Sequence, residues 1–284
     1  MLGYLRMDYS TYSGIALPGK GSLPFIGQIK LNQGDQNARL SFLAPESNLI
    51  DRGLLALLDH LVWECGGRGA LRLLAEIDEE SPLLEMLRLS GFGIYGRQQV
   101  WRFATTIQPD GKEQPWRSFQ PIDQHNLNSL YHTVVPPLMQ SAEAIDKRPF
   151  RGFVYHVDGE MLAFVESLDG PKGVFLNPVV HPNIHEPEKI FSALLHFVNS
   201  SSSRPIYVAV RDYQSWLNSA AENLGGSPGS RKILLVRYLI NHQRVNVPAT
   251  IRKVLESHST EPTSPIMQNT TLINEPSNDI IPSK

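Results

Sequence analysis

Two stretches of this chain run through the same succession of hydrophobic patterns. In the first, Arg39 to Ala44 reads as a strand. Leu49 to Glu64 then places its apolar residues three and four apart, the stripe of an amphipathic helix stopped by Gly66 and Gly67. Ala70 to Ile77 is an apolar run suited to a buried strand. Pro82 to Leu89 predicts a short helix entered through Ser81 as N-cap and ended at Gly91, with Gln98 to Thr105 as a further strand. In the second stretch, Val174 to Val180, Pro187 to Val198, Ile206 to Val210, Ser215 to Leu224 and Lys232 to Leu239 give strand, helix, strand, helix and strand, with Gly225 closing the second helix. Upstream of it lie Trp116 to Ile122, a helix from Gln124 to Ala144, and a meander, Gly152 to Val157 and Met161 to Ser167, joined by the turn dipeptide Asp158-Gly159.

A helix between two strands supplies the crossover that a parallel pair needs, so both stretches predict an α/β unit built on a mixed α+β sheet. Short runs repeat as well: Ala56-Leu57-Leu58 matches Ala193-Leu194-Leu195, and Leu89-Ser90-Gly91 matches Asn223-Leu224-Gly225. The polar run Gln108 to Pro115, with two prolines and Asp110-Gly111, separates the two. The expected division is an N-terminal segment 1–24, a shortened unit 25–107, a linker 108–115, a complete unit 116–244 and a largely disordered tail 245–284. That tail contains no Phe, Tyr or Trp, too little apolar surface to offset the entropy of ordering it.

Composition narrows the function classes. A net charge of -2, from 26 Lys and Arg against 28 Asp and Glu, provides no broad positive field and argues against a nucleic-acid partner. One cysteine excludes an internal disulfide and a thiolate metal cluster, and Cys65 in its apolar helical run reads as a buried structural thiol. No run approaches the roughly 20 apolar residues of a membrane span, and the opening residues lack the apolar core of a signal peptide. A membrane partner is therefore not expected, a cytoplasmic location is, and a homodimer is left open.

The order of elements, closed in the first stretch by Ser90-Gly91-Phe92 and the strand Gln98 to Phe103, resembles the GNAT N-acetyltransferase superfamily in a tandem two-domain arrangement. Trp116 to Leu239 covers the whole unit. Phe25 to Ala104 covers its later strands and helices, without the opening strand and helix. The resemblance implies two GNAT-like acyl-CoA acyltransferase domains, the first shortened. It implies transfer of an acetyl or other acyl group from acetyl-CoA or another acyl-CoA to a small-molecule amine, without a metal. In such domains two central strands diverge, and pantetheine pairs as a pseudo-strand with the earlier one. Carried onto the second stretch, this places Asn177, Val179 and Val180 at the cofactor, with its phosphates near Glu188 and Lys189. Glu166 becomes the candidate general base. Tyr213 becomes the candidate acid, standing in for the tyrosine expected four residues before each terminal glycine, where Leu87 and Ala221 are found.

The glycine-rich pyrophosphate loop of that superfamily is missing from both stretches. Pro45 to Gly53 carries one Arg and one Gly at other spacings, and His181 to Lys189 carries no glycine. Pro178 removes a main-chain donor, and Glu186 and Glu188 set negative charge where a pyrophosphate would lie. A non-catalytic GNAT-fold binding or regulatory module is the alternative reading. Other candidates have simpler readings: Gly14 to Gly21, with P-loop spacing but no Ser or Thr for magnesium, reads as a flexible turn. His181, His185, Glu160 and the pair Glu76 and Asp78 read as solvated.

Overall fold

The N-terminal segment holds a strand that its composition conceals: β1 (Tyr9–Ala16), rich in Ser, Thr and Tyr, pairs antiparallel with β2 (Phe25–Asn32) along its whole length. Its Tyr12, Gly14 and Ala16 turn inward toward α1 (Arg52–Gly67), and the alternate residues face solvent. The computed structural model describes residues 9–17, 24–32, 35–45, 52–104, 115–145, 151–201 and 204–239. The tail 245–284 and nearly all of the linker 108–115 lie outside the described residues.

After β2 come β3 (Asn37–Ala44), α1, β4 (Arg72–Asp78), α2 (Leu83–Leu89) and β5 (Gly93–Phe103). The second half adds β6 (Trp116–Ser118), α3 (Gln124–Val134) and α4 (Pro137–Ala142), then β7 (Gly152–Val157), β8 (Glu160–Gly170) and β9 (Gly173–Val180). It closes with α5 (Pro187–Ser201), β10 (Ile206–Arg211), α6 (Leu217–Asn223) and β11 (Ser227–Tyr238). The single helix expected from Gln124 to Ala144 is two: Val135 and Pro136 are extended, because two consecutive prolines disfavour helical geometry in the residues before them. Ser81 helps start α2 as expected, its hydroxyl accepting the Leu83 N–H at 3.3 Å.

The strands form one sheet of eleven, in the order β1-β2-β3-β4-β11-β5-β10-β9-β8-β7-β6. The two halves are therefore not two separate sheets. Each gives its last strand to the other: β11 pairs with β4, β5 pairs with β10, and the exchanged strands pair with each other. On either side of this centre the pairing repeats, with a parallel step (β3 with β4, β9 with β10) followed outward by an antiparallel meander. Alternation along the strands divides the core. On one face, Leu54, Leu57, Leu58 and Leu61 of α1 pack on the first-half strands, chiefly β1 and β2, and Leu194 and Leu195 of α5 on β8 to β10. On the other, α3 and α4 pack Leu127, Tyr131 and Met139 against Leu74, Tyr95, Phe164, Val179 and Leu234.

Candidate functional site

Both parallel steps come apart. In the first half the register runs from Asn37 opposite Arg72 to Arg39 opposite Leu74 and stops, leaving Leu40–Ala44 diverging from 75–78. In the second it runs from Val174 opposite Ile206 to Leu176 opposite Val208 and stops, leaving 177–180 diverging from 209–211. The splayed gap expected in the second half is present, and the first half has its own.

The contents of the two gaps differ. In the second, the carboxamide of Gln214, on the 3₁₀ turn Asp212–Gln214 after β10, is 1% exposed. Its Nε2 donates to the Pro178 carbonyl at 2.6 Å, and its Oε1 accepts the Val180 N–H at 3.3 Å. Main-chain groups of a paired strand alternate in the edge they face, so Val174, Leu176, Pro178 and Val180 face the gap while Asn177 and Val179 face β8. Of the three residues expected to pair with a cofactor, Asn177 and Val179 thus offer no main chain to the gap, and Val180 is already engaged. At the start of α5 the Glu188 carboxylate accepts from Asn223 Nδ2 at 2.7 Å, and the Lys189 ammonium pairs with Glu186 at 3.4 Å. Glu166 is buried on β8 opposite Asn177, one strand away from the gap.

Tyr213 packs half-buried against the α3 and α4 core, and burial pushes its phenol above its ordinary range, with Arg211 opposing. Beside it lies a charged cluster that the sequence did not reveal. Arg211 Nη2 bonds both oxygens of Glu143, at 3.0 and 3.1 Å; the Tyr95 hydroxyl donates to the same carboxylate, and the Tyr131 hydroxyl donates to the Glu143 carbonyl at 2.8 Å. Burial alone would raise the Glu143 pKa, but Arg211, Arg39 and Tyr95 outweigh it and hold the carboxyl below its usual range. Among the described residues, Arg211 Nη1 and the Oε1 of its cross-strand neighbour Gln98 have no hydrogen-bond partner, although both residues are more than nine-tenths buried.

In the first gap, no side chain of the described residues bonds the main chain of Leu40–Ala44 from the β4 side. Glu76 and Asp78 project from β4 on the α3 and α4 face. Asp78 is taken by Lys232 at 2.7 Å and by Ser230, which depress its pKa, whereas Glu76 is exposed and unpaired among the described residues. α1 begins with Arg52 and Gly53 and has no acid in its first turn, in contrast to Glu188 in the first turn of α5.

The remaining candidates are scattered. Gly14 closes against Leu57 at the end of β1, so that part of the glycine run is strand and not turn. His181 Nδ1 accepts the Asn183 N–H, and His181 shares a polar groove with Glu160, Ser129 and Thr133. No group of three or more His, Cys, Asp or Glu among the described residues could hold a metal ion, and no helix among them is long and apolar enough to cross a membrane. Gln214 went unrecognised because its partners are main-chain atoms, which leave no signature in the sequence. The Arg211 and Glu143 pair spans 68 residues without a motif.

No protein-family model and no curated protein matches the chain. Solved structures do. A GCN5-related N-acetyltransferase from Kribbella flavida superposes with a TM-score of 0.52 at 13% identity, covering 80% of this chain and 89% of that one. A functionally unknown conserved protein from Staphylococcus epidermidis superposes with a TM-score of 0.51 at 12% identity, covering 83% and 96%. The fold is that of the GNAT superfamily, with the strand pairing repeated on either side of the sheet's centre.

Proposed function

We propose that the protein is a GNAT-type N-acyltransferase that holds acyl-CoA in its first-half gap, between β3 and β4, while the second half serves as framework. The observation that carries this is the contrast between the gaps: the β9 edge is bonded to Gln214, whereas among the described residues no side chain bonds the β3 edge from the β4 side. Acyl-CoA fits the first gap by those main-chain groups of Leu40–Ala44 that alternate with the ones bonded to β2, and by Arg52 at the positive end of α1, where an anion is favoured. It does not fit the second, where Pro178, Glu188 and the Glu186-paired Lys189 oppose it. The amine nitrogen attacks the thioester carbonyl, a C–N bond replaces the C–S bond, Glu76 takes the ammonium proton through water, and CoA leaves with the C–S electron pair as a thiolate that is protonated from water.

Calorimetry with acetyl-CoA and longer acyl-CoAs tests this. Arg52→Glu should weaken binding by roughly tenfold, the order of a single charge-assisted phosphate contact. Lys189→Glu should leave it unchanged. Loss of binding on Lys189→Glu alone would return the cofactor to the second half. Absence of binding across the acyl series would favour the non-catalytic binding module, which the occupied second gap also supports.

A further inference from the structure

The carboxamide of Gln214 sits in the second gap as a strand would. A primary amide presents one donor and one acceptor side by side, the same pair that the N–H and C=O of one residue offer along a strand edge. Pro178 O and Val180 N–H are the next gap-facing groups of β9 after its pairing with β10 ends, and Gln214 meets both. In the first half the chain after β4 runs Asp78-Glu79-Glu80-Ser81, and among the described residues no amide side chain returns to β3. On the α3 and α4 face of β10 and its neighbour β5, Arg211 Nη1 and Gln98 Oε1 have no hydrogen-bond partner among the described residues.

We infer that the second gap is an amide-recognition slot which the chain fills with its own side chain, so that Gln214 is an internal ligand that an extended amide, such as the pantetheine arm, can replace. The identity of that outside ligand rests on the acyltransferase reading; the slot itself does not. Gln214 competes with outside amides for the wild-type cleft, and removing its side chain leaves a site with one main-chain donor and one main-chain acceptor at fixed spacing.

The test uses the full chain with Gln214→Ala and Gln214→Glu. Gln214→Ala should melt several degrees below wild type. Acetamide should recover part of that loss in the variant and do nothing for wild type, and acetone, which has the carbonyl but no N–H, should recover none. Pantetheine should bind the variant at least tenfold more tightly than wild type. Rescue by neither amide, or equal effects of acetamide on both proteins, would overturn the inference.

Should Gln214→Ala fail to fold, Gln214→Glu decides. A protonated Glu donates to the Pro178 carbonyl as the amide does, whereas a carboxylate repels it, so the folded-state pKa of the new Glu is raised. The variant should match wild type below the ordinary Glu pKa of about 4.3 and lose stability as pH rises through the raised value. A difference from wild type that is constant across pH would contradict the slot. If wild type binds no acyl-CoA at all, the acyltransferase reading fails while the acetamide and pH results still decide the slot.

Discussion

The most consequential single contact outside the gaps is the ion pair of Arg211 with Glu143, both largely buried. Its folded-state pKa places Glu143 below the unfolded value, so its contribution to stability is full above the ordinary Glu pKa and is lost as pH falls through the depressed one. Glu143→Gln should cost roughly 3–5 kcal/mol at pH 7 by leaving a buried guanidinium unpaired, and the difference from wild type should narrow at pH 3. The double change Glu143→Leu with Arg211→Met should cost less than either single change. Urea unfolding at the two pH values checks both. Of the individual residues, Cys65 was legible: it is fully buried, and burial pushes its thiol up to about 12. Its setting in an apolar helix stripe is local, and local patterns survive in sequence. Glu143 was not legible, because its role depends on a strand that arrives 68 residues later.

At the scale of elements, the meander and the strand–helix–strand units were legible, since hydrophobic period and glycine stops define them. Two helix stops behave as read, Gly91 and Gly225 both having positive φ, whereas Gly66 and Gly67, expected to stop the first long helix, lie inside α1, and it is Gly69 just beyond its end that has positive φ. β1 escaped notice because an edge strand covered on one face needs few apolar residues, and α3 and α4 were merged because their period continues across Pro136 and Pro137. Close packing of elements makes two glycines unequal. A Cβ at Gly152 would lie 2.2 Å from the Val165 carbonyl oxygen, a main-chain atom of β8 that cannot move alone, whereas one at Gly27 would meet the tips of Leu61, Leu43 and Leu57 at 2.6, 3.1 and 3.3 Å. Gly152→Ala should therefore destabilise by about 1–3 kcal/mol and lower the melting temperature measurably. Gly27→Ala should cost less, because rotamer changes can absorb it. Equal losses in the two variants would show that the β7 and β8 approach is looser than this.

At the scale of the molecule, sequence predicted two repeats but not their fusion. Strand exchange is a long-range choice: β5 and β11 each carry a pattern that suits either half, and only the pairing of Lys232–Tyr238 with Arg72–Asp78 decides between them. Which cleft is open was likewise illegible, since it turns on one glutamine side chain meeting main-chain atoms. In the proposed arrangement the second half, complete in its elements, has its gap filled by Gln214, and the shortened first half holds the cofactor. Hydrogen exchange of the full chain, with and without acyl-CoA, addresses this most directly. Ligand should protect the gap-facing main-chain amides of Leu40–Ala44 and the first turn of α1 while Val180 and the start of α5 exchange as before; protection confined to Val180 and α5 would contradict this.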